Sequence, residues 1–207
     1  MIPGVVVSLL LGVLTWSLLE YLIHRYLGHD RRYRKNVFAR EHIRHHIEGD
    51  YFAPTHKKAQ AAALAAALVT PFAILAAGPA RGGAYVTGLM LFYTAYEILH
   101  RREHTSAGFG AYGRWARRHH FYHHFENAKM NHGVTSPLWD IVFGTYRAPG
   151  VIHVPPKLCM TWLRDPRTGD VRTEHAASFA LESSARTAEK DVETVSSSFS
   201  HPPQESV

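Results

Sequence analysis

Histidines recur in this chain at spacings that suit metal ligation. The triplet His42, His45 and His46 reads H-x-x-H-H, and the same pattern returns as His120, His123 and His124. On a helix, residues at i, i+3 and i+4 share one face, so each triplet presents three imidazoles together. His100 and His104 form an i, i+4 pair. His24 and His29 are five residues apart, a looser fit that Gly28 is expected to help by bending the last turn. These ten belong to a total of 16 histidines in 207 residues. Neutral imidazole is a common ligand of iron, zinc and copper, and ligand type alone leaves all three open. Zinc takes about four donors and iron about five or six, so ten imidazoles suit two ions with about five each. A structural zinc would be satisfied by far fewer. Two redox metals held this way point to oxygen chemistry.

The elements that must carry these histidines are apolar. Residues 2–23 form an almost unbroken apolar run, with Glu20 its only charge. About 20 helical residues span the roughly 30 Å hydrocarbon core of a bilayer. The run lacks a basic leader and a small-residue cleavage motif, so it reads as an anchor rather than a signal peptide. Residues 60–80 and 83–99 are two further runs joined too tightly for anything but a helical hairpin. The Ala-rich face of the second is expected to let neighbouring helices approach closely. Each histidine group adjoins or follows one of these runs, which puts the metal at a membrane face and makes a lipid the natural substrate. Glu20 and Glu97 lie four and three residues ahead of His24 and His100. A charge inside a span costs at least about 2.5 kcal/mol, so both are expected to orient a ligand histidine.

The basic residues set the orientation. Arg25, Arg31, Arg32, Arg34 and Lys35 follow the first run, and Arg101, Arg102, Arg114, Arg117 and Arg118 follow the third, whereas the hairpin carries only Arg81. The positive-inside rule then puts the N-terminus outside and the histidines in the cytosol, at the inner membrane if the cell is bacterial. The net charge of +6 flanks apolar runs, and no nucleic-acid-binding motif accompanies it, so nucleic acid is not an expected partner. Cys159 is the only cysteine, which excludes intrachain disulfides and thiolate metal sites. The composition turns to Ser, Thr, Glu and Ala near Asp165. The expected organisation is a membrane domain over 1–164 and a disordered tail over 165–207 that holds His175 and His201. His56 and His153 read as loop residues. The fold class is all-α: a bundle of about three transmembrane helices with a cytosolic histidine-rich helical cap.

The stretch W-S-L-L-E-Y-L-I-H-R-Y-L-G-H from Trp16 to His29, the four histidine groups, and N-H-G-V-T-S-P-L-W-D-I-V-F-G-T from Asn131 to Thr145 together resemble the fatty acid hydroxylase superfamily. That superfamily includes sterol desaturases and sphingolipid-associated fatty acid hydroxylases, and the resemblance covers about residues 14–146. It implies a membrane di-iron oxygenase whose ligands are His24, His29, His42, His45, His46, His100, His104, His120, His123 and His124. Zinc could replace iron, O2 would be the co-substrate, and the substrate would be an acyl chain, with 2-hydroxylation of a fatty acid one such reaction. A carotenoid or sterol hydroxylase or desaturase is the alternative enzyme, and a membrane metal-binding protein the non-enzymatic one. No H-E-x-x-H favours a zinc hydrolase. His132 stands where relatives often have an aromatic residue, and it joins Glu20, Glu97 and Asp140 as supports of the ligands. His119 flanks the cluster. Relatives often carry four spans and some a fused haem domain. Three spans and no such domain imply a separate electron donor, a cytochrome b-type protein or a ferredoxin with its reductase. Trp139, Phe143 and Tyr146, at i, i+4 and i+7, are expected to lie on one helix face that holds the cap down.

Overall fold

The structure is a computed structural model that describes residues 2–108 and 110–183. The chain divides between Gly150 and Val151 into two compact units. The first unit is all-α, as its apolar and histidine periodicities predict. Helix α1 (Ile2–Leu22) continues directly into a π-helical segment, Ile23–His29. Helices α2 (Val37–Glu48), α3 (Thr55–Ala77), α4 (Pro79–Thr105) and α5 (Gly110–Phe121) follow. Helix α5 also widens into a π-helical segment, Tyr122–Glu126, and a short α6 (Leu138–Val142) lies in the segment after it. Asn36 caps α2 by accepting from the Ala39 amide at 2.8 Å, satisfying one of the donors a helix start leaves open.

Two helical segments, Ile2–His29 and Thr55–Ala77, are long and apolar enough to cross a membrane. The third expected span lies inside α4, where Tyr85, Thr87, Tyr93, Thr94 and Glu97 dilute the apolar run below that standard. Helices α1 and α4 run parallel and cross backbone to backbone. A Cβ on Gly12 would stand 2.0 Å from the Tyr85 carbonyl oxygen, and one on Gly88 would stand 2.1 Å from that of Leu9. Small residues bring helices together in lipid, and α3 also approaches α4 closely at Ala73, where a Cβ on Gly82 would stand 2.6 Å from the Ala73 carbonyl oxygen. Helix α3 buries no residue against the rest of the chain. Its antiparallel pairing with α4 puts Lys58 beside Glu97, at the end of the bundle where α1 releases His24 and α4 releases His100 and His104.

The second unit pairs β1 (Ile152–Val154) with β2 (Phe179–Leu181) in parallel, with Ile152 opposite Phe179. Ile152, Val154, Leu163 and Phe179 are its buried core. The described part of the expected tail, through Ser183, therefore contains ordered elements, because Phe179 and Leu181 supply the apolar residues that a Ser- and Thr-rich average conceals. Residues 184–207, with His201, lie outside the described residues. His175 packs edge-on against Trp162, His153 lies in β1, and His56 is exposed in the first turn of α3, so the last two are not loop residues.

Candidate metal centre

The π-helical segment explains the odd spacing of the first pair. Hydrogen bonds from i to i+5 widen the turn, so residues five apart fall on one side. His24 and His29 then stand with ring centroids 5.2 Å apart. Gly28 serves by being small rather than by bending the chain, since a Cβ there would lie 2.9 Å from the His42 ring.

Ten histidines converge in two groups: His24, His29, His42, His46 and His123, and His45, His100, His104, His120 and His124. Within each group one ring nitrogen per residue lies within 4.8 Å of all the others. Each H-x-x-H-H triplet divides between the groups. Helix α2 gives His42 and His46 to the first and His45 to the second, while the α5 end gives His123 to the first and His120 and His124 to the second. The groups are adjacent, with His46 stacked on His124 at 3.9 Å between centroids.

The ring nitrogens are arranged as lone pairs facing inward. His45 and His123 donate from Nδ1 to the carbonyls of Tyr51 and Met130 at 2.6 and 2.8 Å, and His24 donates from Nδ1 to the carbonyl of His132. That leaves Nε2 of each as an acceptor. His123 Nε2 and His42 Nε2 each lie 2.8 Å from His29 Nε2, His46 Nε2 lies 3.0 Å from His42 Nε2, and His104 Nε2 lies 3.1 Å from His120 Nε2. Two nitrogens about 2.1 Å from a shared ion and at right angles to one another stand about 3.0 Å apart. The Nε2 atoms of His24, His45 and His100 and both ring nitrogens of His124 are buried without a protein partner. A cation would satisfy one lone pair on each of these rings, and the two groups fit metal binding.

The surroundings keep the imidazoles neutral. Burial, reinforced by neighbouring imidazoles, holds His42, His46, His120, His123 and His124 well below the usual histidine range. Burial brings His45 down to about 4. Neutral imidazole is the form that binds metal. Aromatic rings close the site: Phe38 stacks on His42 at 5.6 Å, Tyr96 on His100 at 5.8 Å, and Phe52 lies 5.0 Å from His45. A cavity of about 280 Å³ between α2, α3 and α4 reaches His42 of the first group and His45 and His100 of the second.

Of the carboxylates expected to support ligand histidines, Glu20 and Asp140 hold the backbone of the segment 132–135. Glu20 Oε1 accepts from the amides of Val134 and Thr135 at 3.0 and 2.8 Å and from the Thr135 hydroxyl at 2.9 Å. Asp140 accepts from the amides of His132 and Gly133 at 2.8 Å each, from the Thr145 hydroxyl at 2.8 Å and from His119 Nε2 at 3.1 Å. These bonds fix the loop whose His132 carbonyl orients His24, so the two acids reach the centre through the backbone. Glu97 pairs with Lys58, a partner from another helix that spacing along one run does not reveal. Trp139 Nε1 donates to Ser17 Oγ at 2.9 Å, and Phe143 stacks on Tyr21 at 5.2 Å, tying α6 to α1 as expected of a cap anchor. Helix α6 ends at Val142, so Tyr146 leaves that face and stacks on His119 instead.

Sequence reasoning missed the backbone carbonyls of Tyr51, Met130 and His132, which no residue type announces. It also missed Glu103, fully buried beside His104, and Arg117, which donates to the carbonyls of Glu103 and Ala107 at 2.9 and 2.7 Å. An acidic residue inside H-R-R-E-H was the available signal for Glu103.

The fatty acid hydroxylase family model matches residues 9–145. The chain belongs to the fatty acid hydroxylase family. Among curated members of that family, it is 32% identical over 159 residues to dihydroceramide fatty acyl 2-hydroxylase FAH2 of Arabidopsis thaliana, covering 72% of this chain and 63% of that protein. It is 32% identical over 158 residues to human fatty acid 2-hydroxylase, covering 70% of this chain and 40% of that one. It thus spans less than two thirds of the length of either relative. The solved structure of full-length scs7p, in which only the hydroxylase domain is visible, matches with a TM-score of 0.52 and 24% identity, over 69% of this chain and 57% of that one. That likeness shows a shared fold.

Proposed function

We propose that this member of the fatty acid hydroxylase family is an O2-dependent lipid hydroxylase in which the two five-histidine groups hold a pair of iron ions. The observation that carries this reading is the junction of the two groups with one cavity lined largely by apolar and aromatic side chains. Two irons would supply O2 activation and relay the two electrons that hydroxylation of an unreactive C–H bond requires. The net reaction takes R–H, O2, two electrons and two protons to R–OH and water. The electrons come from a separate donor, either a cytochrome b-type protein or a ferredoxin with its reductase.

The chain's own groups prepare the site. The carbonyls of Tyr51, Met130 and His132 hold three imidazoles as Nδ1–H tautomers, so that Nε2 is free to bind. Phe38, Phe52 and Tyr96 exclude water and offer an apolar wall to an acyl chain. The relatives are named for 2-hydroxylation of fatty acyl groups, and the same carbon is the proposed target here. The substrate reaches the cavity from a bilayer crossed by α1, α3 and α4, with the N-terminus outside and the histidines on the cytosolic side.

Anaerobically prepared protein, analysed for metal and then given O2 and reductant, tests this function. The expected product is an acyl chain heavier by one oxygen atom. Oxygen gained by a carotenoid or sterol would assign the substrate differently, and metal uptake without O2 consumption would overturn the enzymatic reading.

A further inference from the structure

His132 lies outside the five nitrogens of the first group, yet its side chain belongs to their surroundings. It is 2% exposed. Its Nε2 donates to the Lys129 carbonyl at 3.2 Å, which leaves Nδ1 as an unprotonated acceptor. That Nδ1 is buried with no protein partner. The ring stands 5.1, 5.6 and 5.8 Å from those of His123, His24 and His29. Those separations approach the 5.2 Å between His24 and His29 themselves.

The second group has a different border. Phe52 lies 5.0, 5.6 and 5.7 Å from His45, His100 and His104, and Phe121 lies 5.0 Å from His104. Among the described residues no histidine beyond the ten touches this group. One group is therefore bordered by a further imidazole lone pair that, among the described residues, the other lacks.

We propose that the His132 ring is a sixth imidazole donor to the first group, so that the two metal positions are unequal: six histidines serve one and five the other. The proposal rests on reading the groups as metal sites. His132 Nδ1 is the outermost of the six donors, because the other five form the set lying within 4.8 Å of one another. Six donors saturate an ion, whereas five leave a position free. The first position thus holds its ion more firmly and the second is the more open to exchange. The backbone carbonyl of His132, which orients His24, survives any substitution of the side chain, so the contribution of the ring can be isolated.

The test uses the full chain in detergent, stripped of metal and loaded with Co2+, whose visible absorbance strengthens as coordination falls from six. Wild type should release its two ions to a chelator in two steps. His132→Phe should raise the absorbance per ion and lower the chelator resistance of the tighter ion by at least the roughly 10- to 100-fold that losing an outer partner of a ligand costs. His132→Asn, which keeps a polar side chain but no imidazole, should do the same if the Phe variant fails to accumulate. A purely structural role for the ring would lower affinity without changing absorbance per ion, and that result overturns the proposal. Release of both wild-type ions in one step also overturns it while leaving the proposed function standing. Failure of wild type to bind Co2+ at all overturns both.

Discussion

Replacing Asp140 tests the view that the loop behind the centre, rather than the ligands alone, sets its geometry. All four hydrogen bonds of this carboxylate are internal: two backbone amides, one hydroxyl and one imidazole. In Asp140→Ala, the Thr145 hydroxyl can still bond Tyr21, which lies 2.9 Å away. The amides of His132 and Gly133 have no such escape. A buried donor without a partner costs about 1–3 kcal/mol, so the pair costs about 2–6 kcal/mol. For a chain of this size each kcal/mol shifts Tm by about 2–4 °C, which predicts a fall of about 4–24 °C. Asp140→Asn keeps one acceptor oxygen and strands one amide, so its Tm should fall by half as much. The assay is the fraction of monodisperse protein remaining after heating in detergent, with the metal content of the survivors measured alongside. An alanine variant melting within about 2 °C of wild type would refute the clamp.

Other outcomes follow from the same contacts. Gly88→Ala places a Cβ where only 2.1 Å separates it from the Leu9 carbonyl oxygen, so α1 and α4 must part; a loss of about 1–3 kcal/mol or more is expected as a lowered Tm. Trp139→Phe removes the indole bond to Ser17 and should cost about 1 kcal/mol, read as a Tm fall of a few degrees. In metal-free protein, His45 and His132 both have folded values lowered by burial to about 4, against 6.5 for an unfolded histidine. Their contribution to stability is complete above pH 6.5 and is lost as pH falls towards 4, because only the unfolded chain takes up the protons. A Tm profile of the metal-free protein that stayed flat across that window would contradict it.

Eight of the ten clustered histidines were legible from their i, i+3 and i+4 spacings. What the triplets did not reveal is their division between two groups, since one helix face can look towards two neighbouring points. The five-residue gap between His24 and His29 looked like a poor fit only against a helix of ordinary pitch. Glu20 stood out as a charge within an apolar run and Asp140 as a support of the ligands, but the amides they hold lie more than a hundred residues from Glu20 and only a few from Asp140, and amides carry no sequence signature. Glu97 was assigned along its own helix, whereas the nearest cation comes from α3. The apolar runs announced the bundle, but the crossing of α1 and α4 depends on two glycines that composition does not single out.

Metal content per chain is the most direct test of the central claim. Protein purified without oxygen should carry two ions per chain. His45→Ala and His123→Ala, each removing one donor from a different group, should insert into the membrane normally yet lose O2-dependent turnover. A chain with no bound metal, or full turnover in either variant, would contradict the account.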